Sequence, residues 1–147
     1  MNPLPMLPCL CSNVRRASRA LTQLYGEALR PAGLNATQFT ILQALSLTGE
    51  ISQGRLGEIL VLDSTTLTRT LAIMTREQWI AERRGEDRRE RWLQLTKAGA
   101  ARLARSSREW ERVQSRLRKR LGQETWNDLF RLTHEVTTLA TKEGDAL

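Results

Sequence analysis

The sequence predicts a mainly α-helical fold that carries one small β-hairpin. Over most of the chain, apolar residues recur every three to four positions, which is the spacing of amphipathic helices. One region differs, because Trp79–Arg84 and Arg91–Leu95 are two runs suited to β-strands, with Gly85 permitting a turn between them. Capping and helix-ending residues divide the rest of the sequence into separate helices.

The N-terminal part of the chain predicts an arm and two helices. Residues 1 to about 11 are expected to form an irregular arm, followed by a helix over Ser12–Leu29 that ends at a proline and a glycine. Asn35 or Thr37 can cap a second helix, which stops near Gly49. Each helix has an apolar stripe and therefore needs a neighbour to pack on.

Two further helices follow in close succession. Ile51 suits a single short strand, and Ser52 caps a third helix that extends to Leu60. Asp63 caps a fourth helix, which continues to about Arg76. Because only a few residues join them, these two helices are expected to form a helix-turn-helix pair.

The fourth helix has two chemically different faces. At 100° per residue, Leu67, Leu71 and Met74 fall on one side, which is expected to pack on the preceding helices. The opposite side carries hydroxyl and guanidinium groups with one small residue between them, and Thr68 lies on its flank. Its members are Thr65, Arg69, Ala72 and Arg76. The free backbone N–H groups of the first turn suit a phosphate.

Two long helices end the chain. Thr96 caps a helix from Lys97 to about Leu121, Gly122 breaks it, and a last helix runs from about Gln123 to Ala140. The apolar stripes of these helices and of the first helix need a surface that a small domain does not supply. Burial in a two-fold dimer is the simplest solution, and a monomeric bundle that packs them internally is the alternative.

The composition indicates a basic globular protein. The 147 residues are 40% hydrophobic and 27% charged, so a single domain is the default expectation. The net charge is +7 and the isoelectric point is about 10.6, with arginine supplying nearly all of the positive charge. Arginine binds phosphate and guanine with two parallel N–H groups. The composition therefore favours a protein that binds nucleic acid, and the alternative is a protein whose basic surface is simply solvated.

The sequence gives little support for a membrane protein, a secreted protein, a zinc protein or an enzyme. No stretch approaches the roughly 18 apolar residues of a membrane span, and the N-terminus makes a poor signal peptide, so a cytoplasmic location is expected. Only two cysteines, Cys9 and Cys11, and one histidine, His134, occur, which argues against structural zinc. No set of residues suits catalysis, and we expect no enzymatic activity, cofactor or metal.

The helix-turn-helix pair and the arginine-rich hairpin together favour a winged helix-turn-helix protein that binds double-stranded DNA. The fourth helix would enter the major groove, while Gln53 and Arg55 would contact phosphate. The residues expected to contact DNA are Gln53, Arg55, Ser64, Thr65, Thr66, Thr68, Arg69, Arg88 and Arg89. The alternative from another class is a winged-helix protein-interaction module without specific DNA binding.

The tip of the hairpin combines two arginines with an acidic residue. Arg88 and Arg89 are placed to reach a minor groove and its phosphates. Asp87 beside them would repel phosphate, so we expect it to have a structural role. Its carboxylate can pin a neighbouring arginine or accept backbone N–H bonds across the turn.

These features together resemble the MarR family of bacterial transcription regulators. The resemblance extends from about Asn13 to Val136 and is strongest in the middle of the chain. The segments that carry it are Leu56–Asp63, Ser64–Arg69 and the wing pattern made of Asp87–Arg89, Leu93–Thr96 and Gly99. Many family members have glycine where this chain has Gln78, and a positive φ there would cost roughly 1 kcal/mol relative to glycine.

The resemblance implies a winged helix-turn-helix flanked by dimerisation helices. Residues 1–34 would supply the arm and the first dimerisation helix, 35–96 the DNA-binding lobe and 97–147 the C-terminal dimerisation helices of one domain, 1–147. It also implies a homodimer that binds a pseudo-palindromic operator, usually represses, and responds to a ligand or an oxidant.

The signal is less well specified by the sequence. OhrR-like regulators, a peroxide-sensing branch of the family, have a reactive cysteine at the start of the first helix and a tyrosine that hydrogen-bonds it. Cys11 and Tyr25 match these two residues, whereas Arg15 replaces a second tyrosine. Near a helix N-terminus the Cys11 thiol should have a lowered pKa, and Cys9 could resolve its oxidised form. Because a disulfide between two cysteines so close in one chain would be strained, a partner across the subunit interface or a small thiol is favoured for this step. A small aromatic or phenolic ligand, or no sensor at all, remain the alternatives.

Overall fold

The structure is a computed structural model that describes residues 4–144, with side chains up to residue 142. It confirms the predicted fold class, since helices dominate and the only sheet within these residues has three short antiparallel strands. The helices are α1 (Leu10–Leu29), α2 (Ala36–Thr48), α3 (Gln53–Leu60), α4 (Ser64–Arg76), α5 (Lys97–Leu121) and α6 (Gln123–Gly144). The strands are β1 (Ile51–Ser52), β2 (Ile80–Arg84) and β3 (Arg91–Leu95).

The sheet has the order β1-β3-β2. The β2–β3 pair forms the predicted hairpin, with Glu82 opposite Leu93 and Arg84 opposite Arg91. The predicted short strand at Ile51 adds to the other edge of β3, where Ile51 pairs with Leu93. This pairing attaches the segment before α3 to the hairpin and so fixes the wing relative to the helix-turn-helix.

The first helix begins earlier than its sequence predicts. It starts at Leu10, with Cys9 in the N-cap position, because the side chain of Asn13 holds the preceding arm. Asn13 accepts a hydrogen bond from the backbone N–H of Leu7 at 3.2 Å and donates to the carbonyl of Leu7 at 2.6 Å. The guanidinium of Arg16 donates to the carbonyl of Pro5 at 2.8 Å. The last helix likewise extends beyond its predicted end.

Side-chain caps define where the central helices begin. Asn35, and not Thr37, caps α2 through a capping box with Gln38, in which the two reciprocal hydrogen bonds measure 2.8 and 3.0 Å. Ser52 caps α3 and Asp63 caps α4, as predicted. Each cap satisfies a backbone N–H group that the helix itself leaves without a partner.

The chain groups into two compact units, the first ending at Trp110 and the second beginning at Glu111. Apolar residues from α1, α2, α3, α4 and the sheet form the core of the first unit. The predicted inner face of α4 belongs to it, because Leu67, Leu71 and Met74 are buried. The predicted divisions after residues 34 and 96 remain predictions.

Two residues other than glycine adopt a positive φ among those described. Val61, with φ 49°, ends α3, and Gln78, with φ 59°, follows α4. The left-handed region is unfavourable for residues with a Cβ, and a β-branched residue such as Val61 is uncommon there. Strained backbone therefore lies on both sides of α4, at Val61 in the turn before it and at Gln78 just after it.

We expect Gln78→Gly to increase the free energy of unfolding by about 1 kcal/mol, because glycine tolerates this φ without a steric penalty. Because the side chain of Gln78 is exposed, its removal should cost little packing energy. Urea denaturation of the two proteins measures the difference. A destabilised variant would show that contacts of the Gln78 side chain outweigh the relief of strain.

Candidate nucleic-acid interface

The outer face of α4 is open to solvent. The predicted contact residues Ser64, Thr65, Thr66, Thr68 and Arg69 are all exposed, in contrast to the buried inner face. Among the residues that the structure describes, no ion pair involves Arg69. The face therefore presents hydroxyl groups and an available guanidinium group on a rigid helix.

The start of α4 is held by Asp63. One oxygen of its carboxylate accepts the backbone N–H of Thr66 at 2.8 Å, and the other accepts the Thr66 hydroxyl at 2.6 Å. Hydrogen bonding by the hydroxyl and then by the N–H of Thr66 lowers the pKa of Asp63 below its usual value. The hydroxyl proton of Thr66 is thus committed to the cap, and only its oxygen lone pairs remain available for another partner.

The two predicted phosphate-binding residues of α3 have different surroundings. The side-chain nitrogen of Gln53 donates to the hydroxyl oxygen of Thr68 at 3.0 Å, which joins α3 to α4. Arg55 pairs with Glu58 one turn along the same helix, with 2.8 Å between the charged atoms. Both members of that pair are largely exposed, so the pair is weak and a phosphate can compete for Arg55.

The tip of the wing is closed by backbone and side-chain hydrogen bonds. The N–H of Gly85 donates to the carbonyl of Glu90, and the N–H of Glu90 donates to the carbonyl of Asp87, each at 2.9 Å. The carboxylate of Asp87 accepts the backbone N–H of Arg89 at 2.9 Å. The side chains of Arg88 and Arg89 are exposed, and no ion pair in the described part of the chain includes them.

The base of the wing contains a contact that sequence reasoning missed. The guanidinium of Arg83 makes two parallel hydrogen bonds of 2.6 Å to the carboxylate of Glu50, and it lies 5.2 Å from the ring centre of Trp92. The hydrogen bonds from Arg83 lower the pKa of Glu50. This clamp joins the residue before β1 to β2 across β3. The sequence gives no sign of this contact, because Glu50 lies outside the strands and 33 residues from Arg83.

A groove of about 750 Å³ lies where α3, α4 and the wing meet. It brings together four of the predicted contact residues, Gln53, Ser64, Thr68 and Arg89. The other lining residues are Ser52, Gly54, Gly57, Glu58, Leu62, Leu67, Glu90 and Arg91. Glu90 and Arg91 were not predicted as site residues, because their approach to α3 and α4 depends on how the hairpin packs on those helices.

The predicted sensor residues do not form a site within one chain. Cys9 and Cys11 are free and exposed, and hydrogen bonding from the backbone N–H and then from the hydroxyl of Ser12 lowers the pKa of Cys9. Tyr25 lies on the same helix as Cys11, about 21 Å further along at 1.5 Å per residue. A hydrogen bond between Tyr25 and Cys11 therefore requires a second copy of the chain. Burial raises the pKa of Tyr25.

The described residues contain neither a metal-binding cluster nor a membrane span. Groups of three or more histidine, cysteine, aspartate or glutamate side chains with the geometry of a metal site do not occur there. None of the helices in that part of the chain has the length and apolar character needed to cross a membrane.

The comparisons with known proteins agree on one family. Residues 34–90 match the MarR family model. The chain is 34% identical to the M. tuberculosis transcriptional regulator MosR solved in complex with DNA, over 91% of this chain and 97% of that chain, with a TM-score of 0.82. This chain is also 31% identical to the uncharacterised HTH-type transcriptional regulator YwoH of Bacillus subtilis over 88 residues. That match spans 60% of this chain and 64% of YwoH.

More distant structures share the fold. Wild-type MarR from E. coli in its apo form is 23% identical, with a TM-score of 0.70 over 90% of this chain and 98% of that chain. The similarity to MosR covers nearly the whole of both chains, and the part that matches the family model, residues 34–90, contains the helix-turn-helix and most of the hairpin. The chain belongs to the MarR family of transcription regulators.

Proposed function

We propose that this chain is a non-enzymatic, cytoplasmic transcription regulator that binds a pseudo-palindromic operator as a homodimer and acts as a repressor. The observation that carries the proposal is the exposed polar face of α4, which bears Thr65, Thr68 and Arg69 beside a wing whose tip arginines are exposed. A helix of this kind fits the major groove, and a wing of this kind reaches the adjacent backbone or minor groove. The similarity to MosR, which was solved in complex with DNA, supports DNA binding by this chain.

Exposed apolar residues support the homodimer. On α6, Leu129, Phe130, Leu132, Val136 and Leu139 are each between 39% and 62% exposed. On α1, Leu10, Val14 and Leu21 are each at least 43% exposed. Apolar side chains in such numbers on two helices are typical of an interface, and a symmetric dimer would place two copies of α4 about 34 Å apart along DNA.

Two chemistries are candidates for the signal that releases the operator. Oxidation is favoured by the exposure of both cysteines and by the lowered pKa of Cys9, because a thiolate reacts with peroxide to form a sulfenic acid. A small aromatic or phenolic ligand is the other candidate. A shift assay with peroxide and then dithiothreitol distinguishes them, since only oxidation gives a loss of binding that Cys9→Ser or Cys11→Ser abolishes.

The test of DNA binding is a shift assay on the DNA upstream of the protein's own gene at several salt concentrations. We expect the logarithm of the association constant to fall linearly with the logarithm of salt concentration, with a slope of about −0.9 for each phosphate neutralised. Arg88→Ala and Arg89→Ala should each reduce the magnitude of that slope by about 1 where the arginine binds a phosphate.

Two results would contradict the proposal. A flat salt dependence would rule out binding dominated by phosphate contacts. A genome-wide DNA pull-down without enriched sites would instead favour the protein-interaction module considered above.

A further inference from the structure

The hydrogen bond between Gln53 and Thr68 is unusual for a helical threonine. In this structure Thr40, Thr48, Thr70, Thr133 and Thr137 donate their hydroxyl to the carbonyl four residues earlier, at 2.6 to 2.9 Å. Such a bond satisfies the hydroxyl within its own helix. No such bond of Thr68 occurs in the described part of the chain, where its hydroxyl oxygen instead accepts the side-chain amide of Gln53.

The hydrogen bond from Gln53 leaves the Thr68 hydroxyl able to donate to another partner. A hydroxyl group has one proton to donate and two lone pairs. Because one lone pair of Thr68 accepts the amide N–H of Gln53, and because the proton is not used within the helix, the Thr68 hydroxyl is available as a donor to a partner outside the protein. Thr68 is exposed on the outer face of α4, at the groove that Gln53 also lines.

The side-chain amide of Gln53 also has hydrogen-bonding groups left for a partner outside the protein. Its amide retains one N–H group and the oxygen Oε1, for which no partner occurs among the described residues. Glutamine with a free donor and a free acceptor matches the major-groove edge of adenine, which presents an acceptor at N7 and a donor at N6. Guanine presents two acceptors at the same positions and would place its O6 against the amide oxygen.

We propose that Gln53 and Thr68 form one base-reading unit that selects an adenine in the major groove. The inference rests on the proposed function and extends it, because Gln53 then reads a base and does not merely contact phosphate. Its position supports this role, since it is the first residue of α3 and its amide is held against α4, the helix expected in the groove. A side chain restrained before binding loses less conformational entropy on contacting a base.

The experiment is selection of bound sequences from a random DNA library by the full-length protein, followed by affinity measurements on the selected site. We expect an adenine at one position of each half-site, and about a tenfold weaker binding when it is replaced by guanine. Gln53→Ala and Thr68→Val should each relax the preference at that position. The double variant should lose little more than either single variant, because the two residues act together.

Thr70→Val is the matched control. It removes a hydroxyl from the same helix, but that hydroxyl is already bonded to the carbonyl of Thr66, so the selected sequence should not change. Binding of the variants to unrelated DNA reports that they remain folded and retain phosphate contacts.

The possible failures can be told apart. If the wild-type protein selects no sequence, both the proposed function and the reading unit are wrong. If it selects a site, but Gln53→Ala weakens all sequences equally or the two substitutions add independently, the operator function stands and the reading unit is overturned. The same conclusion follows if the affected position is a guanine.

Discussion

Replacement of Gly99 by alanine is expected to destabilise the protein by about 3 kcal/mol, at the upper end of the range for overpacking a buried site. An added Cβ would overlap the carbonyl oxygen of Trp79, and it would lie 2.8 Å from a methyl carbon of Leu95. These atoms cannot easily move apart, because the Trp79 carbonyl also accepts the backbone N–H of Thr96 at 3.1 Å. For a chain of this length the midpoint of thermal unfolding should fall by roughly 6–12 °C.

The position of Gly99 explains why a small residue is needed there. The Thr96 hydroxyl accepts the N–H of Gly99 at 3.0 Å and donates towards the carbonyls of Gln78 and Trp79, at 2.7 and 3.0 Å. The first turn of α5 is therefore pressed against the segment that leaves α4. This contact links the segment after α4 to the start of α5.

Gly54→Ala provides the control for the alanine substitution at Gly99. Gly54 is also helical, and an added Cβ there would have no neighbour within 4 Å, so the variant should be unchanged or up to about 1 kcal/mol more stable. Urea denaturation and thermal unfolding measure both variants. Equal stabilities of the two variants would show that the backbone around Trp79 relaxes and that the contact is not restrictive.

The faces of α4 could be predicted from the sequence because helical periodicity is a local property. An apolar residue every three to four positions places Leu67, Leu71 and Met74 on one side, whatever the rest of the chain does. The caps Ser52 and Asp63 are equally local, since each bonds to an N–H three residues away. Both kinds of prediction agree with the structure.

The contacts that orient the wing could not be predicted in the same way. Glu50 and Arg83 are 33 residues apart, and only the pairing of β1 with β3 and of β3 with β2 brings them together. Gln53 and Thr68 are 15 residues apart on different helices, so their contact depends on the angle of the turn between α3 and α4. A single sequence contains no local signal for either.

The arm before α1 illustrates a weaker local signal. Its prolines and its lack of periodicity predict an irregular segment, and the start of the helix was expected at Ser12. The structure instead places Cys9 at the cap, because the amide of Asn13 bonds both to the carbonyl of Leu7 and to that of Cys9. In this arrangement, hydrogen bonding from Ser12 lowers the pKa of Cys9, a thiol to which the sequence assigned only the role of resolving an oxidised Cys11.

Arg69→Ala is expected to weaken binding to the operator by about 1–3 kcal/mol, a factor of about 5 to 150, if its guanidinium makes two hydrogen bonds to a guanine. Arg69 lies on the exposed face of α4, one residue after Thr68 and two residues after the buried Leu67. Since no ion pair in the described residues occupies it, its guanidinium can bind a base without first breaking an internal contact. Titration of operator and of unrelated DNA in a shift assay measures the effect.

Arg76→Ala distinguishes a base contact from a general loss of charge. Arg76 is also exposed, and it lies on the same helix seven residues later, about 10 Å further along the axis. Its removal costs the same positive charge, so it should weaken operator and unrelated DNA by a similar factor. Arg69→Ala should weaken the operator much more than unrelated DNA. If the two variants lose affinity equally on both kinds of DNA, Arg69 contributes only charge, and the base contact assigned to it is wrong.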